Sequence, residues 1–262
     1  MPELAEVQTF KSYFDKTSLH QKIIDIIIKD NRILNTDPDN FKSTLLNKKF
    51  NSTIRHGKYL FVKLNSTALI IHFGMTGDLS YFKYSKNLPP NSKVIFKFEN
   101  GNALSYISQR MFGRLDIIES IDSFLHDKKL GPDALKMTFE EFQQTLKRRT
   151  TIAKTALMNQ SIIAGIGNIY SDEILFQAHI HPQMKINEVS EQDLKILFQK
   201  IKSVLQYGIS KAGSLDTYSP ELLIPHRKKD GTCPSCSKLL ERYEIQGRHG
   251  FFCKNCQKLP KS

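Results

Sequence analysis

All four cysteines of the chain fall in one pattern, Cys233-Pro-Ser-Cys236 followed by Cys253-Lys-Asn-Cys256, a C-x2-C-x16-C-x2-C spacing. No other feature limits what its region can fold into so tightly. Two knuckles that each offer two thiolates match a tetrahedral four-cysteine zinc site. A pair of disulfides, or four unrelated buried thiols, is the competing reading. The amino terminus argues against disulfides, because Glu3 and Glu6 stand where a secretory signal needs positive charge and no long apolar run follows. One structural zinc ion per chain is therefore expected on Cys233, Cys236, Cys253 and Cys256. Four thiolates close the coordination shell, so the ion has no position for a reacting water. It compensates for a module too small to bury much core.

The same segment concentrates positive charge. Residues 226–262 hold nine Lys/Arg and three Asp/Glu, half of the whole chain's net +12. Charge gathered in one place fits a binding footprint for a polyanion, with nucleic acid ahead of a membrane surface and ahead of simple solubility. At 40% hydrophobic residues the chain can build a core, which excludes a disordered polyelectrolyte. No apolar stretch approaches the ~18–20 residues of a membrane span. The expectation is a cytoplasmic protein with no membrane contact whose polyanion is, first of all, a nucleic acid. Between the knuckles, Gln246-Gly247-Arg248-His249-Gly250 reads as a hairpin tip. An arginine held there suits bidentate phosphate contact, although for this segment taken alone a solvated turn arginine is the better reading.

Leu4, Val7, Phe10 and Phe14 recur at helical spacing, which predicts a helix over Pro2–Phe14. From Lys22 to about Ile118 short β-rich runs follow: Ile23–Ile28, Tyr59–Leu64, Ala68–Phe73, Lys93–Phe98 and Leu115–Ile118. Breakers such as Pro89-Pro90-Asn91 and Asn100-Gly101-Asn102 separate them, so a sandwich or barrel is expected rather than βαβ units. After Glu119 the pattern turns helical. Thr138 with Glu141 makes a capping box, Ser190 with Asp193 a looser one, and a further helix is expected from Asn168 toward Ala178. From Gly213 to Thr232 the periodicity dissolves. The division is residues 1–125, 126–225 and 226–262: an α+β chain with an N-terminal β-sandwich or barrel carrying an amino-terminal helix, a helical C-terminal domain, and a four-cysteine zinc finger.

Two further segments admit chemistry. Ala164-Gly165-Ile166-Gly167-Asn168 leads into a helix whose amino terminus offers unpaired N–H groups to an anion, although Asn168 as a plain N-cap explains it too. It fails as a dinucleotide fingerprint, because Tyr170 stands where a third glycine is needed. Met1-Pro2-Glu3-Leu4-Ala5-Glu6 is explained structurally by proline at the first helical position and glutamates in the first turn. If Met1 is removed, Pro2 exposes a secondary amine. A free α-amino group is roughly 10% unprotonated at pH 7, against ~0.04% for a lysine. Such an amine can attack a sugar carbon to form a Schiff base, with Glu3 and Glu6 moving protons.

Together these pieces resemble the formamidopyrimidine-DNA glycosylase/endonuclease VIII family of DNA repair enzymes. The matching residues are Pro2–Val7, Arg55-His56-Gly57-Lys58-Tyr59-Leu60, His72–Gly77, Arg110-Met111-Phe112-Gly113, Leu130–Asp133, Gly165–Tyr170 and the cysteine module with Gln246-Gly247-Arg248. The resemblance implies a bifunctional glycosylase and abasic-site lyase of base excision repair, with a helix-two-turns-helix in its helical domain. It implies Pro2 as nucleophile, Glu3 as acid/base supported by Glu6, and Lys58 on the phosphate beside the lesion. It further implies Asn168 and Arg248 on flanking phosphates, and Met75, Arg110 and Phe112 inserted into the duplex when the base flips out. Met75 and Phe112 as core residues, and Lys58 as a solvated strand lysine, are the plain alternatives. The implied partner is double-stranded DNA with oxidised bases or abasic sites, met by a monomer. A non-catalytic zinc-ribbon protein that recognises damaged or bent DNA is the alternative, as is a relative acting mainly on oxidised pyrimidines or abasic sites. Ala5 replaces the family's usual proline, Ser108-Gln109-Arg110-Met111 replaces Asp-Pro-Arg-Arg, and residues 213–233 form a shorter stretch than in purine-specific members. These departures point toward formamidopyrimidines or hydantoins at least as readily as 8-oxoguanine.

Overall fold

The computed structural model describes residues 2–85 and 87–259. Met1, whose removal the amine chemistry requires, lies outside the described residues. The chain divides into two compact units, one of Pro2 with Val7–Lys128 and one of Glu3–Glu6 with residues 129–259.

The first unit is a sandwich of two antiparallel four-stranded sheets. One runs β1 (Ile23–Ile28), β6 (Ser92–Phe98), β7 (Asn102–Ser108), β5 (Gly77–Lys83); the other runs β2 (Ser52–His56), β3 (Tyr59–Lys63), β4 (Ala68–His72), β8 (Arg114–Ile118). Strand alternation sends Leu60, Val62, Leu69 and Ile71 from one sheet, and Ile26, Val94, Phe96 and Leu104 from the other, into one core. Helix α1 (Leu4–Thr17) contributes Val7 and Phe14 to it, and Phe10 stacks on Phe73 with ring centroids 4.2 Å apart. Phe61, buried on the opposite face of β3, meets Phe124 of the short helix α3 (Ile121–Asp127) edge-on. A second short helix, α2 (Pro38–Leu45), is capped by Asp37 with proline at its start. Helix α1 begins at Leu4, so Pro2 does not occupy the first helical position that its structural explanation assigns it.

The second unit is helical. Thr138 and Glu141 close both halves of a capping box on α4 (Phe139–Leu146), and Ser190 caps α7 (Glu191–Ser210) by accepting from the Asp193 N–H. Between them lie α5 (Ala153–Met158) and α6 (Asn168–Gln177), joined by a connection that Gln160 staples. Its Nε2 donates to the carbonyls of Met158 and Ile166, and its Oε1 accepts from the Gly165 N–H. Past α7, residues 213–232 form two single 3₁₀ turns, with Leu223 and Ile224 buried against the helices. A hairpin of β9 (Glu241–Ile245) and β10 (Arg248–Phe252) sits between the cysteine knuckles. Among the described residues no helix is long and apolar enough to cross a membrane.

Candidate active site and nucleic-acid interface

The amino-terminal carboxylates are bound to a helix more than 160 residues away. Glu3, 2% exposed, accepts the Gly167 N–H at 2.5 Å and the Ile169 N–H at 2.9 Å, so its carboxylate fills the anion position at the start of α6. Gly167 is required there, because a Cβ would lie 2.3 Å from the Glu3 carboxyl carbon. Glu6 turns back to accept the Glu3 N–H at 2.7 Å, and its other oxygen accepts the Tyr170 hydroxyl at 2.8 Å. Burial first, and the neighbouring Glu3 second, push Glu6 above the usual carboxylate range. Pro2, partly exposed, precedes this pair directly in the chain.

Asn168 and Arg248 are brought together. The residue that caps α6 is Gly167, not Asn168, which instead sends its Nδ2 to the His249 carbonyl at 2.8 Å. That bond ties the helix to the tip of the hairpin, where Gln246 and Gly247 both take positive φ (53° and 70°), the geometry of a type I′ turn. Arg248 follows, exposed. Behind it lies a cluster that motif reading missed. Asp172, wholly buried, accepts Lys154 Nζ at 2.6 Å, Arg227 Nε at 2.9 Å and Nη2 at 2.7 Å, the Tyr243 hydroxyl at 2.6 Å and the Phe251 N–H at 3.1 Å. It thereby anchors both strands of the hairpin to α6. The only signal in the sequence is an aspartate inside a helix that is buried on every side.

The four cysteine sulfurs lie within 4.8 Å of one another and form no disulfide. The Cys233–Cys256 and Cys236–Cys253 pairs stand 3.8 and 3.5 Å apart. Metal–thiolate bonds of ~2.3 Å arranged tetrahedrally place sulfurs ~3.8 Å apart, so this set fits one tetrahedral metal ion.

On the first unit, Lys58 occupies a two-residue turn between β2 and β3, after Gly57 at φ 55°. It is 7% exposed, a buried group rather than a solvated strand lysine. Arg55 fixes the turn through Gln8 Oε1 at 2.9 Å and the Gly57 carbonyl at 3.2 Å. His72 is held at about 4, chiefly by burial and then by the charges of Lys58 and Arg114, so it stands neutral beside that lysine. The loops after β4 and β7 carry the other three candidates. They are locked to each other: the Arg110 N–H donates to Thr76 Oγ1 at 3.0 Å, and a Cβ on Gly74 (φ 57°) would lie 2.3 Å from the Phe112 carbonyl carbon. Met75 (39% exposed) and Phe112 (54%) point to solvent, so neither is a core residue. The Arg110 guanidinium lies over the Phe112 ring at 5.4 Å.

Family models match nearly end to end: the N-terminal domain of formamidopyrimidine-DNA glycosylase over residues 1–115, its H2TH domain over 130–219, and the zinc finger found in that enzyme and in IleRS over 231–259. The formamidopyrimidine-DNA glycosylase of Streptococcus pyogenes serotype M3 is 32% identical over 98% of this chain and 99% of its own length; that of Listeria monocytogenes serotype 4b is 30% identical over 98% and 100%. The chain belongs to the formamidopyrimidine-DNA glycosylase family. Among solved family members, the Lactococcus lactis glycosylase bound to formamidopyrimidine-dG DNA superposes with a TM-score of 0.90 at 28% identity, covering 98% of this chain and 100% of that one. The same enzyme non-covalently bound to abasic-site DNA gives 0.90 at 30% identity, with the same coverage. Departures from the usual family sequence take on a shape here. Ser108 is buried at the end of β7, and Gln109 opens the loop that presents Arg110.

Proposed function

We propose that this chain excises oxidised bases from duplex DNA and then cuts the strand at the resulting abasic site, through the secondary amine of Pro2. The observation that carries the reading is the clamp on Glu3. A carboxylate next in the chain to a candidate nucleophile is held in one orientation by two backbone donors, and its neighbour Glu6 is a buried carboxyl of raised pKa. The amine of Pro2, once Met1 is gone, attacks C1′ of the damaged nucleotide. The glycosidic bond breaks toward the base, and the proline nitrogen, after losing its proton, is left as an iminium on the opened sugar. Glu3 takes the proton that the proline nitrogen loses and delivers it to O4′ as the ring opens, and Glu6 accepts and returns protons beside it. Loss of a C2′ proton from that iminium then expels the 3′ phosphate and cuts the strand, and water hydrolyses the carbon–nitrogen double bond to release the enzyme.

The remaining residues make the sugar reachable. A base inside the duplex shields C1′, so the nucleotide must leave the stack. Met75, Arg110 and Phe112, exposed and locked on paired loops, fill the gap it leaves. Lys58 holds the phosphate beside the lesion, while Asn168 and Arg248 grip the flanking phosphates. Zinc is the metal of Cys233, Cys236, Cys253 and Cys256. Its chemistry is structural, keeping the hairpin that presents Arg248. The protein works as a monomer, and its lesions are formamidopyrimidines, hydantoins and 8-oxoguanine. The short 213–232 segment, packed on the helices, favours the first two. The Lactococcus lactis complexes with formamidopyrimidine-dG and abasic-site DNA support this substrate class.

The test is borohydride trapping on duplexes with 8-oxoguanine, formamidopyrimidine, hydantoin, oxidised pyrimidine or an abasic site, followed by peptide mapping. The expected adduct lies on Pro2 in protein lacking Met1. An adduct on a lysine, retained Met1 on active protein, or tight binding without cutting of any substrate would overturn the proposal.

A further inference from the structure

Glu6 is held by more than its immediate neighbours. The Tyr170 hydroxyl that donates to it lies 2.6 Å from the hydroxyl of Tyr218, and both tyrosines are buried. A tyrosine has one hydroxyl proton. Because Tyr170 gives its own to Glu6, the bond between the tyrosines is donated by Tyr218. Gly213 adds a second contact from the same segment: at φ 68° it packs so closely on Glu6 that a Cβ would lie 2.6 Å from the Glu6 Cγ. Tyr218 also lines a pocket of about 190 Å³ with Glu173 and Tyr207, and its ring meets that of Tyr207 edge-on at 5.3 Å.

We infer that Tyr218 is a positioning residue for the reaction: its hydroxyl fixes the Tyr170 O–H on Glu6 and so keeps the Glu6 carboxylate oriented and able to accept a proton. The inference rests on the role proposed above for Glu6. Chained donors strengthen one another in a buried site, so the Tyr218 bond makes Tyr170 the better donor to an anion. The chain also serves the protonated state. When Glu6 takes a proton on Oε1, it donates to the Tyr170 oxygen, Tyr170 donates to Tyr218, and Tyr218 turns its proton to water in the pocket. No O–H is left buried without an acceptor, and no tyrosine changes its net protonation. The groups facing Glu6 are the Glu3 carboxylate and the two hydroxyls, with Glu173 and Tyr207 around Tyr218. Beside the Glu3 N–H, the Tyr170 hydroxyl is the side-chain donor that favours the Glu6 anion, and Tyr218 supports it.

The experiment is the pH dependence of single-turnover excision on a duplex carrying one formamidopyrimidine, for the parent, Tyr218→Phe, Tyr170→Phe, the double variant and Glu6→Gln. Losing the Tyr218 donor disfavours the Glu6 anion, so the acidic limb should move up by about half to one pH unit in Tyr218→Phe. It should move further in Tyr170→Phe, and the double variant should match Tyr170→Phe, since Tyr218 acts only through Tyr170. Glu6→Gln should abolish that limb. A Tyr218→Phe profile that superposes on the parent's, a limb that persists in Glu6→Gln, or additive shifts in the double variant would overturn the inference. A lower rate with an unmoved limb would mark Tyr218 as merely structural, which also overturns it. A parent that neither traps nor cuts would instead defeat the proposed function.

Discussion

Asp172→Asn tests how the hairpin is held. The side chain is fully buried and serves two cations, Lys154 with a 1% exposed side chain and Arg227 with 11%. Asparagine keeps the shape but removes the charge, and its NH₂ turns a donor toward donors. Two buried cations then lack a counter-charge. Breaking a buried pair in this way costs about 3–5 kcal/mol. At about 2–4 °C per kcal/mol for a chain of this size, the melting temperature should fall by about 6–20 °C. Tyr243 and Phe251 lose their acceptor at the same time, so the hairpin that carries Arg248 should loosen and affinity for lesion-containing duplex should drop. Thermal unfolding followed by circular dichroism reads the first effect, and fluorescence anisotropy the second. A second variant separates the charge argument from packing: Asp172→Asn with Lys154→Met removes one stranded cation and should recover part of the loss. A single variant melting within about 2 °C of the parent, or a double variant melting below it, would refute the reasoning.

Two further outcomes follow from the first unit and from the metal site. His72 sits at about 4 against an ordinary 6.5, so the unfolded chain takes up a proton that the folded form excludes. The stability this supplies is complete above pH ~6.5 and lost as pH falls toward ~4, up to about 3 kcal/mol; His72→Asn should remove that part of the acid destabilisation, and a parent-like urea–pH profile would contradict the assignment. Stripping the metal with a chelator, or Cys253→Ser, should abolish hydrogen-exchange protection over Glu241–Ile245 and Arg248–Phe252 while β3 and β4 stay protected; equal loss in both would show that the metal does more than hold the zinc-finger segment.

Where local periodicity and burial agree, the sequence was sufficient. Ile23–Ile28, the Thr138–Glu141 box and the cysteine spacing all declare themselves within a few residues. Strand β7 did not, because Ser105 and Ser108 face buried positions and interrupt the alternation expected of a half-buried strand. Helix α5 has no side-chain cap and is buried along almost its whole length, so neither signal that marks a helix is present. Helix α2 did carry its signals, Asp37 and Pro38, in a stretch too short to show periodicity. Among the candidate site residues, Arg248 is announced by a turn, whereas Lys58 enters only through the family resemblance. Glu3 is announced as an acid, but its partners Gly167 and Ile169 cannot be read from anything near it.

Helix α6 explains why the unread part includes the contacts that hold the candidate site. From Tyr170 to Phe176 every residue is buried, yet the run contains Tyr170, Ser171, Asp172 and Glu173. A helix buried on all sides needs no polar face toward water, so each of these groups must find a partner in another segment. Tyr170 takes Glu6 and Tyr218; Ser171 and Asp172 take Lys154 from α5, and Asp172 takes the hairpin; Glu173 accepts the Ile224 N–H at 2.8 Å, from the stretch after α7. The helix's own first N–H groups go to Glu3. One ten-residue element thus fixes the amino-terminal carboxylates, the hairpin that carries Arg248 and the segment that carries Tyr218. Its polar residues look like a break in a hydrophobic pattern because their partners lie far along the chain, and among the helix's partners Glu3 and Glu6 are groups through which the chemistry is proposed to run.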